Sequence, residues 1–237
     1  MSRNEKLRVD VWSDVVCPWC YIGKRRLEAA LSRFPHRDDV EVVWRAFELD
    51  PGAPRVRQTS SVEHLSQKYG RTQAQAREMM AQVAKTAAVD GLELHLEHAR
   101  SGNTFDAHRL IHLAAERGVQ DAVKERFMKG YFTEQQAIGE PEVLARLASE
   151  AGLDAVEIRD VLASDRYAAE VRAEEDAARK LAISGVPFFV LGGTIGVSGA
   201  QPSGALLGAI EQAWAATAKE AKGDDAEGAA CGPDGCV

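Results

Sequence analysis

No stretch of the 237 residues approaches the length of a membrane-spanning helix. The N-terminus, Met1-Ser2-Arg3-Asn4-Glu5-Lys6, lacks the apolar run that a secretory signal needs, and it leads into a β-prone segment studded with Arg8, Asp10 and Asp14. Positive charge is in deficit. The 29 Lys and Arg are outnumbered by 36 Asp and Glu, and the net charge of −7 argues against nucleic acid or an anionic membrane as the main partner. Methionine, at four residues, is too sparse for a Met-rich binding surface, so Met79, Met80, Val83 and Ala87 read as the core-packing face of a helix. No internal repeat is visible. Gly193, Gly196 and Gly199 do not form a GxGxxG opening a helix, which excludes a phosphate loop there. These absences predict a protein that stays in the cytoplasm. Thiols are kept reduced in that compartment, so a dithiol is catalytic rather than structural.

Cysteine is scarce too, yet its four residues fall into two close pairs. Cys17-Pro18-Trp19-Cys20 follows the apolar run Leu7-Arg8-Val9-Asp10-Val11-Trp12 and precedes a helical pattern from Ile22 to Leu31. Two cysteines two residues apart at a strand-to-helix junction are the signature of thioredoxin-like redox chemistry. The first turn of a helix offers unpaired N–H groups and the positive end of the dipole, so a thiolate at Cys17 is expected to have a lowered pKa. Pro18 suits the first helical turn because it has no N–H to lose. Cys20, one turn in, is expected to be more buried, which makes Cys17 the attacking thiol and Cys20 the resolving one. Half a zinc site, or two inert cysteines, fits the proline and the flanking strand and helix less well.

Hydrophobic residues at 45% and charged residues at 27% suffice for one core, or one domain with a large insertion. Leu7 to Val16 predicts a strand, Pro18 to Phe34 a helix, and Val40 to Phe47 a second strand parallel to the first. Capping-box patterns at Ser60-Ser61-Val62-Glu63 and Thr72-Gln73-Ala74-Gln75 open a long helical stretch. Asn103-Thr104 can cap a further helix, and Val119, Val123, Phe127 and Tyr131 recur every four residues in the next. Glu140-Pro141 starts another, Gly152 ends it, and helices over 154–163 and 165–183 complete the block. Val186 to Leu191 and Thr194 to Val197 predict a hairpin about Gly192-Gly193, and Pro202 opens a last amphipathic helix through Trp214. From about Lys222 the chain turns polar and Gly-rich, as a flexible tail does.

The order is β-α-β, helical block, β-β-α, an α/β thioredoxin fold with a large all-helical insertion. The division is residues 1–57 with 184–220 for the thioredoxin-like part, 58–183 for the insertion and 221–237 for the tail. The chain here resembles the DsbA-like family of thiol–disulfide oxidoreductases, and more closely its cytosolic FrnE-like branch. The resemblance rests on Ser13-Asp14-Val15-Val16-Cys17-Pro18-Trp19-Cys20, Asn103-Thr104-Phe105-Asp106-Ala107-His108, Gly185-Val186-Pro187-Phe188-Phe189 and Gly199-Ala200-Gln201. It covers nearly all of the chain except the tail. It implies a cis peptide between Val186 and Pro187 facing the dithiol, with the Val186 backbone free to pair with a substrate segment. Trp19 stands where strongly oxidising periplasmic members carry His, so a donor beside the thiolate is lost. The implied activity is thiol–disulfide exchange with protein disulfides or thiols as substrates, isomerisation included, and a small thiol or thioredoxin-type protein as reductant. No cofactor is implied.

The second pair, Cys231-Gly232-Pro233-Asp234-Gly235-Cys236, has turn residues between its cysteines and is either a candidate second redox pair that relays electrons to or from Cys17 and Cys20 or regulates them, or a pair of tail thiols that do little. His108 and His112 lie one helical turn apart, but nothing completes a metal motif around them, and they read as helix-surface or supporting residues. His95 and His98 read the same way. Asp14, just ahead of Cys17, is either a proton acceptor for the dithiol or a hydrogen-bond partner of the loop. Two other functions stay in view: a thiol-based metal-binding or redox-sensing protein without turnover, and a kappa-type glutathione-dependent isomerase or transferase. In that kappa type a Ser usually replaces the first Cys.

Overall fold

The computed structural model describes residues 6–223, with side chains to residue 217. Strand β1 (Leu7–Ser13) is buried on both faces except at Arg8, as its run of Val, Trp and Leu requires. Helix α1 (Pro18–Leu31) follows, then a short 3-10 turn (Arg37–Asp39) and strand β2 (Val40–Ala46). β2 runs parallel to β1, with Val9 opposite Val42 and Ser13 opposite Ala46. β3 (Phe188–Leu191) adds antiparallel to the other side of β1, and β4 (Ile195–Ser198) closes the hairpin, giving the order β2-β1-β3-β4. Gly192 and Gly193 both take positive φ, 56° and 71°, as the tight turn demands. β3 begins at Phe188, so Val186 and Pro187 lie just ahead of the strand rather than in it.

The helical block holds α2 (Ser61–Tyr69), α3 (Gln73–Val89), α4 (Phe105–Glu116), α5 (Gln120–Phe132), α6 (Pro141–Glu150), α7 (Ala155–Leu162) and α8 (Ala168–Lys180). Local sequence accounts for most of their starts. Thr72 and Gln75 form the reciprocal capping box, and Ser60 accepts from the Glu63 N–H. At α4 the cap bond comes from Asn103, whose Oδ1 accepts from the Phe105 N–H at 2.9 Å. α8 is shorter than 165–183: Tyr167 takes a left-handed conformation (φ 63°) and begins the helix late. α9 (Ser203–Gly223) packs on α1 and on β1, β3 and β4, and it continues past Trp214 into the stretch assigned to the tail. On the other flank α5 and α8 reach β2, which sets side chains of the helical block beneath the end of β1. The fold is a thioredoxin sheet with helices inserted between β2 and β3, as the order of elements predicts. Among the described residues no helix is long and apolar enough to cross a membrane.

Candidate active site

The chain leaves β1 at Ser13, turns through Asp14 to Val16, and enters α1 at Cys17. Cys17 is the N-cap residue, with extended dihedrals (φ −92°, ψ 114°), and Pro18 occupies the first helical turn. The Cys17 N–H donates to the Asp14 carbonyl at 3.3 Å, and the Cys17 carbonyl accepts from the N–H groups of Cys20 and Tyr21. Both cysteines are free thiols. Cys17 keeps 4% exposure and Cys20 none, while Trp19 stands out at 42%. Burial pushes the Cys20 thiol well above its ordinary 9.0, and Cys17 beside it adds to the rise; the charge of Lys124 and the Asp14 backbone N–H pull the other way.

The cap of this site comes from the far end of the sequence. The Val186–Pro187 peptide is cis, and Cys17 Sγ donates to the Val186 carbonyl at 3.6 Å. The Pro187 carbonyl accepts from the Gly199 N–H at 2.8 Å, which anchors it to the hairpin. The Pro187 ring lies on the second turn of α1 at Gly23, where a Cβ would sit 2.8 Å from Pro187 Cγ. Only glycine lets helix and ring approach so closely.

Beneath the thiols lies a buried polar cluster. The Asp14 carboxylate, 1% exposed, accepts from the Leu49 N–H at 2.8 Å through one oxygen, and its other oxygen lies 3.5 Å from His108 Nε2. Burial would raise this carboxyl, but His108 and the Leu49 N–H outweigh it and bring it below its ordinary 3.8. His108 is itself only 1% exposed, so the helix-surface reading of that residue fails; it backs Asp14. His112 points elsewhere, to Glu174 at 3.2 Å, and the two histidines share no site. Lys124 of α5, not among the residues that the sequence motifs single out, has no exposed surface and donates from Nζ to the Ser13 carbonyl at 3.1 Å. Burial pushes its amine down to about 8. The signal was present in the sequence: Lys124 falls within the apolar arc of Val123, Phe127, Met128 and Tyr131, where a surface lysine has no place.

In front of the thiols opens a cavity of about 390 Å³. Asp14, Val16, Cys17, Pro18, Trp19 and Val186 form its dithiol end, and Arg57, Lys68, Met79, Met80, Val83 and Tyr131 line the rest. Met80 is buried with Val62 and Ala76, but Met79 is 39% exposed and faces the cavity, so its assignment to the core needs correcting. Its helix turns it past the small α2–α3 core and into the open. Among the described residues no group of three or more His, Cys, Asp or Glu side chains is placed to hold a metal ion. Cys231 and Cys236 lie outside the described residues.

Comparison with known proteins places this geometry. A probable DsbA oxidoreductase from Streptomyces coelicolor is 45% identical over 98% of both chains, with a TM-score of 0.84. The uncharacterized protein YwbO of Bacillus subtilis is 29% identical over 191 residues, covering 80% of this chain and 88% of that one. The cytosolic disulfide reductase DsbM of Pseudomonas aeruginosa, in a structure with GSH, shares the fold at 17% identity and a TM-score of 0.55, over 91% of this chain and all of its own. The model of the DSBA-like thioredoxin domain matches residues 8–211, and the chain belongs to that family.

Proposed function

We propose that the protein is a cytoplasmic thiol–disulfide oxidoreductase that uses Cys17 and Cys20 on protein substrates, with the cavity in front of Cys17 as the entry for the substrate disulfide. One observation carries the reading: Cys17 caps α1 at the cavity wall with Cys20 wholly buried one turn behind it. The Cys17 thiolate attacks one sulfur of a substrate disulfide, and the departing thiolate takes a proton from solvent. Cys20 then attacks Cys17 Sγ, releasing the second substrate thiol and leaving Cys17–Cys20 oxidised. A small thiol or a thioredoxin-type protein returns the pair to the dithiol. If a different cysteine of the substrate attacks the substrate sulfur of the mixed disulfide before Cys20 attacks Cys17, Cys17 leaves as a thiolate, a new substrate disulfide forms, and the net result is isomerisation. Pro187 and Val186 hold the far side of the exchange, Trp19 and Pro18 border it, and Asp14 supports the loop.

Insulin reduction tests this. Cys20→Ser is expected to accumulate a mixed disulfide at Cys17, and Cys17→Ser is expected to lose turnover. Insulin reduction by Cys17→Ser at the wild-type rate would sink the mechanism. Limited alkylation of the reduced protein is expected to mark Cys17 before Cys20.

The second pair, Cys231 and Cys236, supports a relay reading on sequence grounds, through its turn-forming spacer. Truncation after Gly223 keeps α9 and removes both thiols. A relay predicts slower recycling of Cys17–Cys20 with the intrinsic exchange intact; unchanged recycling removes that role.

A further inference from the structure

We infer that Thr104 and Tyr131 form the peptide-recognition part of the cavity, their hydroxyls hydrogen-bonding a backbone amide of the substrate beside its reacting cysteine. This rests on the reading of Cys17 as the thiol that attacks protein disulfides. Both residues line the cavity, and both are more than nine-tenths buried, Thr104 at 3% exposure and Tyr131 at 5%. Among the described residues neither hydroxyl has a hydrogen-bond partner. Neither oxygen is sealed from solvent, so each opens on the cavity. Hydroxyls this deeply placed nearly always have a partner. Thr104 stands just ahead of α4, where a threonine normally caps. Its dihedrals (φ −112°, ψ 4°) turn it away from that duty, and Asn103 supplies the cap bond instead. It lies one turn ahead of His108, which backs Asp14, so the two share the face of α4 that looks onto the loop before Cys17. Tyr131 lies two turns beyond Lys124, whose Nζ reaches the Ser13 carbonyl, so α5 turns the same face to that loop. Tyr21 and Tyr167, by contrast, engage their hydroxyls inside the protein, with Glu125 at 2.6 Å and Arg166 at 2.7 Å.

The surroundings select the group that these hydroxyls take. A hydroxyl both donates and accepts a hydrogen bond, and an amide does the same through its N–H and its carbonyl. Burial raises the Tyr131 phenol above its ordinary 10.0, so it meets the ligand as an intact O–H. An anion fits badly here. Asp14 lines the cavity, and its carboxyl is held below its ordinary 3.8, hence ionised. The cations of the lining are elsewhere engaged or out in solvent. Arg57 is taken by Asp50, and Lys68 is exposed, over the ring of the exposed Tyr69. The Ser61 hydroxyl is already given to the Ala99 carbonyl. A neutral amide remains. Leu65, Met79, Met80, Val83 and Leu96 supply an apolar wall for the side chain next to that amide. Holding the amide fixes where the neighbouring substrate sulfur stands relative to Cys17 Sγ in the same cavity. The two hydroxyls thereby read the polypeptide rather than the disulfide.

The experiment uses the full-length chain carrying Cys20→Ser, Cys231→Ser and Cys236→Ser, so that Cys17 is the one thiol left. Its rate of mixed-disulfide formation is measured with two substrates: a short peptide disulfide with capped, uncharged ends, and an aromatic disulfide that contains no amide. Tyr131→Phe and Thr104→Val each remove one hydroxyl and keep the shape of the side chain. Each is expected to slow the peptide about fivefold and to leave the aromatic disulfide unchanged. Because the hydroxyls have no partner inside the protein, neither change is expected to lower the urea midpoint. A peptide rate untouched in both variants overturns the inference. Equal slowing of both disulfides overturns it too, since the hydroxyls would then act on Cys17 itself. A variant that loses stability or fails to fold shows a hydroxyl bonded within the protein, with the same consequence. A peptide disulfide whose reacting cysteine ends in a free carboxylate is expected to react more slowly than the capped one. Faster reaction would make the ligand an anion and overturn the choice of an amide. A parent that forms no mixed disulfide with either substrate would instead remove the attacking role of Cys17.

Discussion

Replacing Gly23 by alanine sets two well-measured effects against each other. Gly23 is in the second turn of α1, where alanine normally stabilises a helix by about 0.5–1 kcal/mol. Here the added Cβ would meet Pro187 Cγ at 2.8 Å, Phe189 Cζ at 3.3 Å and Pro187 Cβ at 3.4 Å. Carbon atoms rest at about 3.5–4.0 Å, so the nearest contact is short by about 0.7 Å or more. Neither neighbour is the loose end of a flexible side chain. Pro187 is a ring tied to Gly199, and Phe189 is fully buried. Relieving such a contact costs about 1–3 kcal/mol, so overpacking outweighs helix propensity, and Gly23→Ala is expected to lose about 1 kcal/mol net. The ring is expected to move away from α1 and carry the Val186 carbonyl off Cys17 Sγ, so insulin reduction falls as well. Urea unfolding measures the first effect and the insulin assay the second. A variant stabilised by about 1 kcal/mol with undiminished turnover would refute the close packing of Pro187 on α1.

Arg109 of α4 donates to the carbonyl of Arg166 at 2.9 Å and to those of Val161 and Ser164, and Arg109→Met leaves all three without that donor. A loss of about 3 kcal/mol is expected, read as a lowered urea midpoint at constant slope; a loss under about 1 kcal/mol would mean water replaces the guanidinium. Glu48 gives the fold a pH dependence of its own. Burial, reinforced by the neighbouring Glu175 and opposed by Arg172, raises its carboxyl from 4.5 to about 7. The folded state thus holds this proton more tightly than the unfolded one. The resulting stability is complete below 4.5 and is lost as the pH rises through 7, by at most about 3 kcal/mol. Glu48→Gln is expected to flatten that slope in urea unfolding, and an unchanged slope would assign it to another group.

What was legible in the sequence is what short stretches of chain encode. The dithiol at the strand–helix junction, the capping box of Thr72 and Gln75, the four-residue spacing from Val119 to Tyr131, and the glycine hairpin are each contained within thirteen residues or fewer. The sheet followed from the order of these elements. What stayed hidden is set by contacts between distant segments. Nothing near Asp14 in the chain announces its bond to Leu49, and nothing near His108 announces that it is buried against Asp14. Lys124 was passed over because a lysine in a helix is usually solvated, and its partner, the Ser13 carbonyl, lies 111 positions away. Met79 went wrong for the opposite reason: an apolar stripe does not say which of its members faces a cavity.

The pairing of β1 with β3, Val9 opposite Leu191, has a consequence in time. On a ribosome the dithiol emerges before the cap that faces it, for Pro187 follows Cys20 by 167 positions. At about 10 residues per second that interval is about 17 s. For that period the cysteines have their helix and β2 but neither the hairpin nor the carbonyl that Cys17 meets in the finished protein. A newly made chain therefore presents its two thiols to the cell's oxidants before it owns the site that governs them. It passes through a stage as a client of disulfide chemistry before it can practise any.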